Sequence, residues 1–202
     1  MFFRSMEYGQ RKSQERLLSL HRRDKLTRSR AKQGGGYIYA LEGQKQGLVS
    51  HTVGVNWCRL WWELIGRRNW EKVHSWEYER EYGKLRHDGF VALKNNATGT
   101  YRFYFVEYDA GTNPFDKVSK YNQLYSKGGY DGRWWCKLAK GFPGIYVATN
   151  RVSHVRGKIE QENSEGLEWI VMDIEQVRNE VMALCLRPLG ISSLTEKAIL
   201  EG

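Results

Sequence analysis

The chain has 202 residues and a net charge of +9, and 41% of its residues are apolar and 13% aromatic. This length accommodates one large domain or two small ones, and this composition predicts a buried core rather than a disordered chain. No apolar run reaches the roughly 18 residues that a membrane-spanning helix needs, and the first residues contain no stretch typical of a signal peptide. We therefore expect a cytoplasmic protein.

The positive charge is concentrated at the beginning of the sequence. Residues 1–32 contain ten Lys or Arg residues and three acidic residues, a net charge of +7, which leaves +2 of the total of +9 for the other 170 residues. Such a concentration is typical of a segment that binds a polyanion, and nucleic acid is the first candidate. A solvated basic tail has the same composition, so charge alone does not decide between them.

The cysteines show no metal-binding or disulfide pattern. Cys58, Cys136 and Cys185 lie far apart and form no CxxC pair. An odd number of cysteines without regular spacing indicates neither a disulfide framework nor a zinc site. We expect reduced thiols in or near the core.

A helix followed by a hairpin is predicted for the basic segment. Ser13–Lys25 carries a stripe of leucines, and residues 26–42 contain three consecutive glycines between two strand-like runs. Alternate side chains of a strand share a face, so the cations of the first strand lie along one edge of the hairpin. This is the back half of a winged helix, whose wing lies along a phosphate backbone. The predicted DNA contacts in this segment are Arg22, Arg23, Lys25, Arg28, Arg30 and Lys32.

The rest of the sequence predicts an α/β domain with a mixed sheet. After a connector at residues 43–50, the order is helix, three strands, helix, strand, helix and strand. The first helix is apolar around much of its circumference, so Trp61 and Trp62 are expected in the core. The predicted ranges are Val53–Arg68, Val73–Glu81, Gly89–Leu93, Tyr101–Asp109, Pro114–Ser126 with Pro114 in the first turn, Gly144–Thr149, 151–163 and Trp169–Asp173.

The domain organisation follows from these elements. We expect a basic, partial winged-helix segment at residues 1–45, an α/β domain at residues 50–180 and a C-terminal tail at residues 181–202.

Three acidic residues are the candidates for chemistry. Glu107 and Asp109 are two apart in one predicted strand and so face the same way. Asp88 begins the preceding strand, and the start of one hairpin strand lies beside the end of the next, so Asp88 and Glu107 can converge. Converging carboxylates persist where a cation relieves their repulsion, and their oxygen atoms suit Mg²⁺ or Mn²⁺. Acidic residues at strand ends are also commonly solvated or salt-bridged, and the spacing leaves both interpretations open.

The order of several short motifs resembles the replication-relaxation family of plasmids and integrative mobile elements. The resemblance covers about residues 15–150. The motifs are YIYALE at 37–42, HTVGVN at 51–56, WEYE at 76–79, HDG at 87–89, FYFVEYDAGT at 103–112, FDKVSKYNQLY at 115–125 and GIYVATN at 144–150.

The second domain of that family resembles the PD-(D/E)xK nuclease fold. The resemblance implies that Asp88 matches the aspartate of the PD element and Glu107 the acid of the (D/E)xK element, both as metal ligands. Asp109 stands where the motif has the lysine that orients or helps deprotonate the attacking water. If the protein cleaves DNA, Asp109 is expected to support the carboxylates of Asp88 and Glu107.

Several further residues match the family only loosely. Lys117 or Lys120 on the next helix is expected to replace the missing lysine. Acids on the first strand and on the first core helix are matched by Glu77 or Glu79 and by Glu63.

The sequence also singles out one histidine, two tyrosines and a basic loop. His87 is either a general base or metal ligand, or an exposed histidine at a turn. Tyr121 and Tyr125 are expected to pack in the core. The loop after the predicted helix Pro114–Ser126 interleaves Lys127, Arg133, Lys137 and Lys140 with aromatic residues. It either contacts nucleic acid, with Arg133 and Lys137 as the predicted DNA contacts, or is anchored by its tryptophans.

The sequence thus predicts a protein that binds duplex DNA in a mobile element. Two functions remain open: a Mg²⁺- or Mn²⁺-dependent DNA endonuclease, and a non-catalytic adaptor that recruits a protein partner of replication, conjugation or transposition. An RNA-binding module is a third, which rests only on charge and aromatic content.

Overall fold

The computed structural model describes residues 6–30, 37–40 and 46–186. The chain divides into two compact units, with a boundary between Thr52 and Val53.

The first unit contains a helix and a two-stranded hairpin. Helix α1 covers Met6–Arg22, and strands β1 (Thr27–Arg30) and β2 (Tyr37–Ala40) pair antiparallel. The helix begins earlier than predicted and ends three residues before Lys25, because Asp24 takes a positive φ of 55°. The predicted helix and hairpin are confirmed, whereas the glycine turn at residues 34–36 lies outside the described residues.

Helix α2 covers Gln46–Arg68, and its residues from Val53 onward belong to the second unit. The predicted connector at residues 43–50 is wrong from Gln46 onward. The apolar periodicity starts only at Val53, but Gln46 and Leu48 have good helix propensity, so the helix can begin before that stripe.

The second unit is built on a five-stranded mixed sheet. The strands of this unit are β3 (Glu71–Tyr78), β4 (Glu81–Tyr82), β5 (Leu85–Arg86), β6 (Gly89–Asn95), β7 (Tyr101–Asp109), β8 (Gly144–Thr149) and β9 (Trp169–Asp173). The spatial order in the sheet is β3-β6-β7-β8-β9, in which β3, β6 and β7 are antiparallel and β7, β8 and β9 are parallel. A small separate hairpin consists of β4 and β5.

Three helices and a short 3₁₀ turn complete this unit. They are α3 (Lys117–Ser126), the 3₁₀ turn Trp134–Lys137, α4 (Val152–Glu162) and α5 (Ile174–Leu186). The crossover from β7 to β8 passes through α3, and the one from β8 to β9 passes through α4. The predicted mixed α/β fold, with its order of helices and strands, is confirmed.

Apolar side chains cover both faces of the sheet. On one face Phe90 and Phe105 pack with Tyr121 of α3 and with Trp135. On the other face α2 and α5 cover the sheet, and Trp62 stacks on Tyr104 with ring centroids 4.7 Å apart. Trp61 and Trp62 are buried, as predicted. The thiol of Cys58 is buried in the same cluster, which raises its pKa to about 12.

Several boundaries and one hairpin differ from the predictions. Helix α3 begins at Lys117 rather than at Pro114, because Asp116 has non-helical backbone angles. Strand β3 ends at Tyr78, because Glu79 takes a positive φ of 40°. The hairpin β4–β5 is too short to show strand periodicity, and only Gly83, with φ of 59°, marks its turn. Among the described helices, none is long and apolar enough to span a membrane.

Candidate active site

Asp88 lies directly before β6 and beside the end of β7. The register pairs Gly89 with Val106, which brings Asp88 next to Glu107 and Tyr108. The backbone N–H of Tyr108 donates to Oδ2 of the half-buried Asp88 at 2.8 Å. The convergence that the hairpin argument predicts is therefore present.

Glu107 is enclosed at the end of the apolar face of β7. It is 1% exposed, the hydroxyl of Tyr121 donates to its Oε1 at 2.7 Å, and Nζ of Lys117 lies 2.8 Å from its Oε2. Burial raises the pKa of Glu107 to about 8, and the charge of Asp88 acts in the same direction. Lys117 and Tyr121 oppose this rise, since both favour the carboxylate.

Lys117 is the first residue of α3 and reaches back over the sheet. Its Nζ also donates to the carbonyl of Arg86 at 2.5 Å. Desolvation disfavours its charged form, but the charges of Glu107 and Asp88 outweigh this and raise the pKa of Lys117. Of the two lysines that the resemblance offered, Lys117 is the one in contact with Glu107.

Lys120 and Asp109 have other partners. Nζ of Lys120 donates to Oδ2 of Asp116 at 2.6 Å. Asp109 forms a two-point ion pair with Arg151, with both N···O distances below 3 Å, and accepts a hydrogen bond from Thr149. Burial disfavours the Asp109 carboxylate, but these donors outweigh it and lower its pKa. Asp109 thus joins the ends of β7 and β8.

His87 is completely buried, so the expectation of an exposed turn histidine is wrong. Its ring packs against Tyr82 and Phe105, with centroids 5.6 and 5.4 Å away. Burial, with a contribution from the nearby Lys117, lowers the pKa of His87 to about 4. The side chain is therefore neutral at physiological pH.

Sequence reasoning placed Tyr121 in the core without its polar contact. The residue is buried, but its hydroxyl also fixes Glu107. The sequence spacing could have indicated this contact, because Lys117 and Tyr121 are four residues apart and so lie on the same face of α3. That face is the one that covers Glu107.

Of the other acidic residues that the resemblance matched, two form ion pairs with arginines and the third lies on helix α2. Glu77 pairs with Arg80 at 3.0 Å and accepts from the indole of Trp134, and Glu79 pairs with Arg86. Glu63 is half-buried on α2.

The predicted DNA contacts of the first unit are exposed wherever their side chains are described. These are Arg22, Arg23, Lys25 and Arg28. The guanidinium of Arg28 lies 4.2 Å from the ring centroid of Tyr37. Arg30 lies on β1, but its side chain is outside the described ones, and Lys32 is outside the described residues altogether.

The basic aromatic loop is anchored by one of its tryptophans. Trp135 is buried in the core, whereas Trp134 and Lys137 are exposed. The guanidinium of the half-buried Arg133 lies 4.5 Å from the ring centroid of Tyr82. The anchored interpretation is therefore correct for Trp135, and the loop still presents cations to solvent.

The site offers two carboxyl groups, the type of ligand that a hard divalent cation prefers. Asp88 and Glu107 supply carboxylate oxygens, and the burial of Glu107 disfavours its charge unless a cation is near. Mg²⁺ typically uses one or two protein carboxylates together with phosphate oxygens and water. Within the described residues there is no cluster of three or more His, Cys, Asp or Glu side chains arranged to hold a metal.

The fold and the site together define an α/β protein with two converging carboxylates and a lysine at the ends of two interior strands of a mixed sheet. No family model matches the chain, and no curated protein does. Among solved structures, the chain is similar to restriction endonuclease FokI bound to DNA, with 11% identity and a TM-score of 0.34. That alignment covers 85% of this chain and 37% of the FokI chain, and a likeness this low supports no inference about function.

Proposed function

We propose that this protein binds duplex DNA and hydrolyses its phosphodiester bonds with Mg²⁺ or Mn²⁺. The observation that carries the proposal is the contact between Lys117 and Glu107, with Nζ 2.8 Å from Oε2 beside Asp88. This contact supplies the cation that the (D/E)xK pattern lacks at Asp109. The role in a mobile element rests only on the motif resemblance.

Each residue of the cluster has a distinct task in this proposal. Asp88 and Glu107 hold the metal, which when bound neutralises phosphate charge and lowers the pKa of a bound water. Lys117 offers a positive charge where negative charge develops, and it helps to orient the attacking water. Tyr121 fixes the carboxyl group of Glu107 through its hydroxyl.

DNA binding is assigned to the exposed cations of the first unit and of the basic loop. Residues such as Arg22, Arg23 and Arg28 carry charge without a buried role. Contacts of this kind to phosphate position a protein on DNA without reading its sequence. We therefore expect affinity that falls steeply with salt and depends weakly on sequence.

The test is cleavage of supercoiled plasmid with Mg²⁺ or Mn²⁺, followed on a gel. We expect nicking or linearisation by the wild type and its loss in Glu107→Gln and Asp88→Asn. Lys158→Met is the matched control, because Lys158 also pairs with a glutamate, Glu162, but lies on α4. Equal cleavage by all four proteins would mean that this site does not perform the reaction.

A non-catalytic adaptor is the second candidate, and the enclosure of Glu107 favours it. Both of its oxygens already face Tyr121 and Lys117, so a metal has to compete with contacts that exist. Calorimetric titration with Mg²⁺ and Mn²⁺ separates the two functions. A DNA mobility shift without metal binding or cleavage would assign the adaptor role and direct the search to protein partners.

A further inference from the structure

A small groove lies between the hairpin β4–β5 and helix α3. Tyr82 and Lys84 line it from the hairpin, and Lys120, Gln123, Leu124 and Lys127 line it from the helix side. Its volume is about 110 Å³. Liquid water occupies ~30 Å³ per molecule, so the groove holds a few water molecules or one tetrahedral anion.

The groove is cationic. Three lysines line it and no carboxylate does. Lys84 and Lys127 are exposed, and within the described part of the chain neither forms an ion pair with a carboxylate. Lys120 pairs with Asp116, whose side chain is 60% exposed and lies outside the lining. Like charges held around one concavity favour an anionic ligand.

The walls of the groove strengthen this preference. Leu124 is buried beneath the lysines, and the guanidinium of Arg133 lies 4.5 Å from the ring centroid of Tyr82. Apolar walls lower the local dielectric constant, so each charge acts more strongly than in open water.

The groove and the candidate active site share helix α3 and the hairpin β4–β5. Lys117 and Lys120 lie one turn apart on α3, and Lys127 follows about 10 Å further along the helix axis. The hairpin also belongs to both regions, because Lys117 donates to the carbonyl of Arg86 in β5. An extended polyanion that reaches Lys117 can therefore continue into the groove.

We infer that this groove binds a phosphate of the DNA strand next to the phosphate that reacts at Glu107. The inference rests on the proposed function and names a further contact of the same substrate. The ligand is the phosphodiester backbone rather than a base, because three lysines line the groove and its aromatic lining residue, Tyr82, is buried.

The salt dependence of DNA binding tests the groove. Three proteins are compared: the wild type, the double variant Lys84→Gln/Lys127→Gln, and a charge-matched control. The control is the double variant Lys72→Gln/Lys94→Gln, whose positions pair with each other at the end of β3 and β6 away from Asp88. Affinity for a fluorescent duplex is measured by anisotropy without divalent metal, from low to moderate salt. Circular dichroism and urea unfolding confirm that each variant is folded.

Each phosphate contact contributes about 0.9 to the slope of log K against log salt concentration. Because the groove holds one phosphate, we expect the groove variant to lose about 0.9 from this slope and to bind more weakly to all sequences, while the control keeps the wild-type slope. An equal loss of slope in both variants, or no loss in the groove variant, would contradict phosphate binding in the groove and leave the proposed DNA binding intact. Absence of any DNA binding by the wild type would instead overturn the proposed function and the groove with it.

Discussion

Lys117 and Glu107 meet across two elements, with Nζ of the helix residue 2.8 Å from Oε2 of the strand residue. The carboxyl group is enclosed, and the lysine side chain is only 22% exposed. Because little water reaches either group, each depends on the other for its charge state. The contact therefore links the stability of α3 on the sheet to the chemistry of the site.

Removal of the lysine is expected to abolish cleavage before it unfolds the protein. In Lys117→Met no cation faces the substrate and the pKa of Glu107 rises further, so cleavage should fall by about 10²-fold or more. Plasmid cleavage under single-turnover conditions measures this, with urea unfolding in parallel. A variant that cuts as fast as Lys158→Met would show that the lysine takes no part.

The raised pKa of Glu107 predicts stability that falls with rising pH. The folded value is about 8 against an ordinary value of 4.5, so the folded state binds more protons than the unfolded state between these values. The stabilisation is complete below pH 4.5 and is lost as the pH rises through 8. Urea unfolding between pH 6.5 and 8 should show this decline in the wild type. The decline should be shallower in Glu107→Gln, and identical slopes would contradict it.

His87 acts with the opposite sign at acid pH. Its folded pKa is about 4 against 6.5, so the unfolded state binds more protons and stability is lost as the pH falls from 6.5 through 4. Replacement by an apolar residue of similar size, His87→Leu, should reduce this acid sensitivity. The measurement compares urea midpoints at pH 5 and pH 6.5. A wild-type ratio in the variant would place the acid-labile group elsewhere.

Asp109 and Arg151 are expected to contribute stability rather than catalysis. The pair joins β7 to β8 by two hydrogen bonds between charged groups, each kind worth about 1.5–3 kcal/mol. A double-mutant cycle of Asp109→Asn and Arg151→Met should therefore give a clear coupling energy of unfolding. If Asp109→Asn lowers cleavage while Arg151→Met does not, Asp109 supports the metal-binding carboxylates instead.

Two helical glycines provide a matched pair for packing. A Cβ atom on Gly54 would overlap the ring of Tyr108, so Gly54→Ala should destabilise the fold by about 1–3 kcal/mol. Gly157 on α4 has open space around it, so Gly157→Ala should stabilise by about 0.5–1 kcal/mol. Thermal unfolding of both variants checks this, and shifts of the same sign would contradict the contact.

Regular strands were predictable from the sequence because their apolar patterns fill whole faces. Tyr101–Asp109, Gly144–Thr149 and Trp169–Asp173 have the predicted bounds. Several errors fall where polar residues continue an element, as at Gln46, or where a positive φ ends one, as at Asp24 and Glu79. Neither feature leaves a periodic signal.

The site was predictable as a convergence but not as a set of contacts. The hairpin register placed Asp88 beside Glu107, because strand pairing is local. The choice between Lys117 and Lys120 required the orientation of α3, which the packing of Tyr121 against Phe105 determines. The burial of His87 likewise depends on the hairpin β4–β5, which the sequence did not reveal.

The two halves of the site belong to parts of the chain with different folding requirements. Asp88 and Glu107 come together in an antiparallel hairpin whose strands are neighbours in sequence, whereas Lys117 and Tyr121 come into contact only when the crossover helix has packed. Local pairing is generally faster than parallel pairing across a long connection. Before helix α3 packs on the sheet, water reaches Glu107, and its carboxyl group has the pKa of an ordinary glutamate. The packing of α3 therefore changes the protonation of this carboxyl group, and the rate of that folding step should depend on pH.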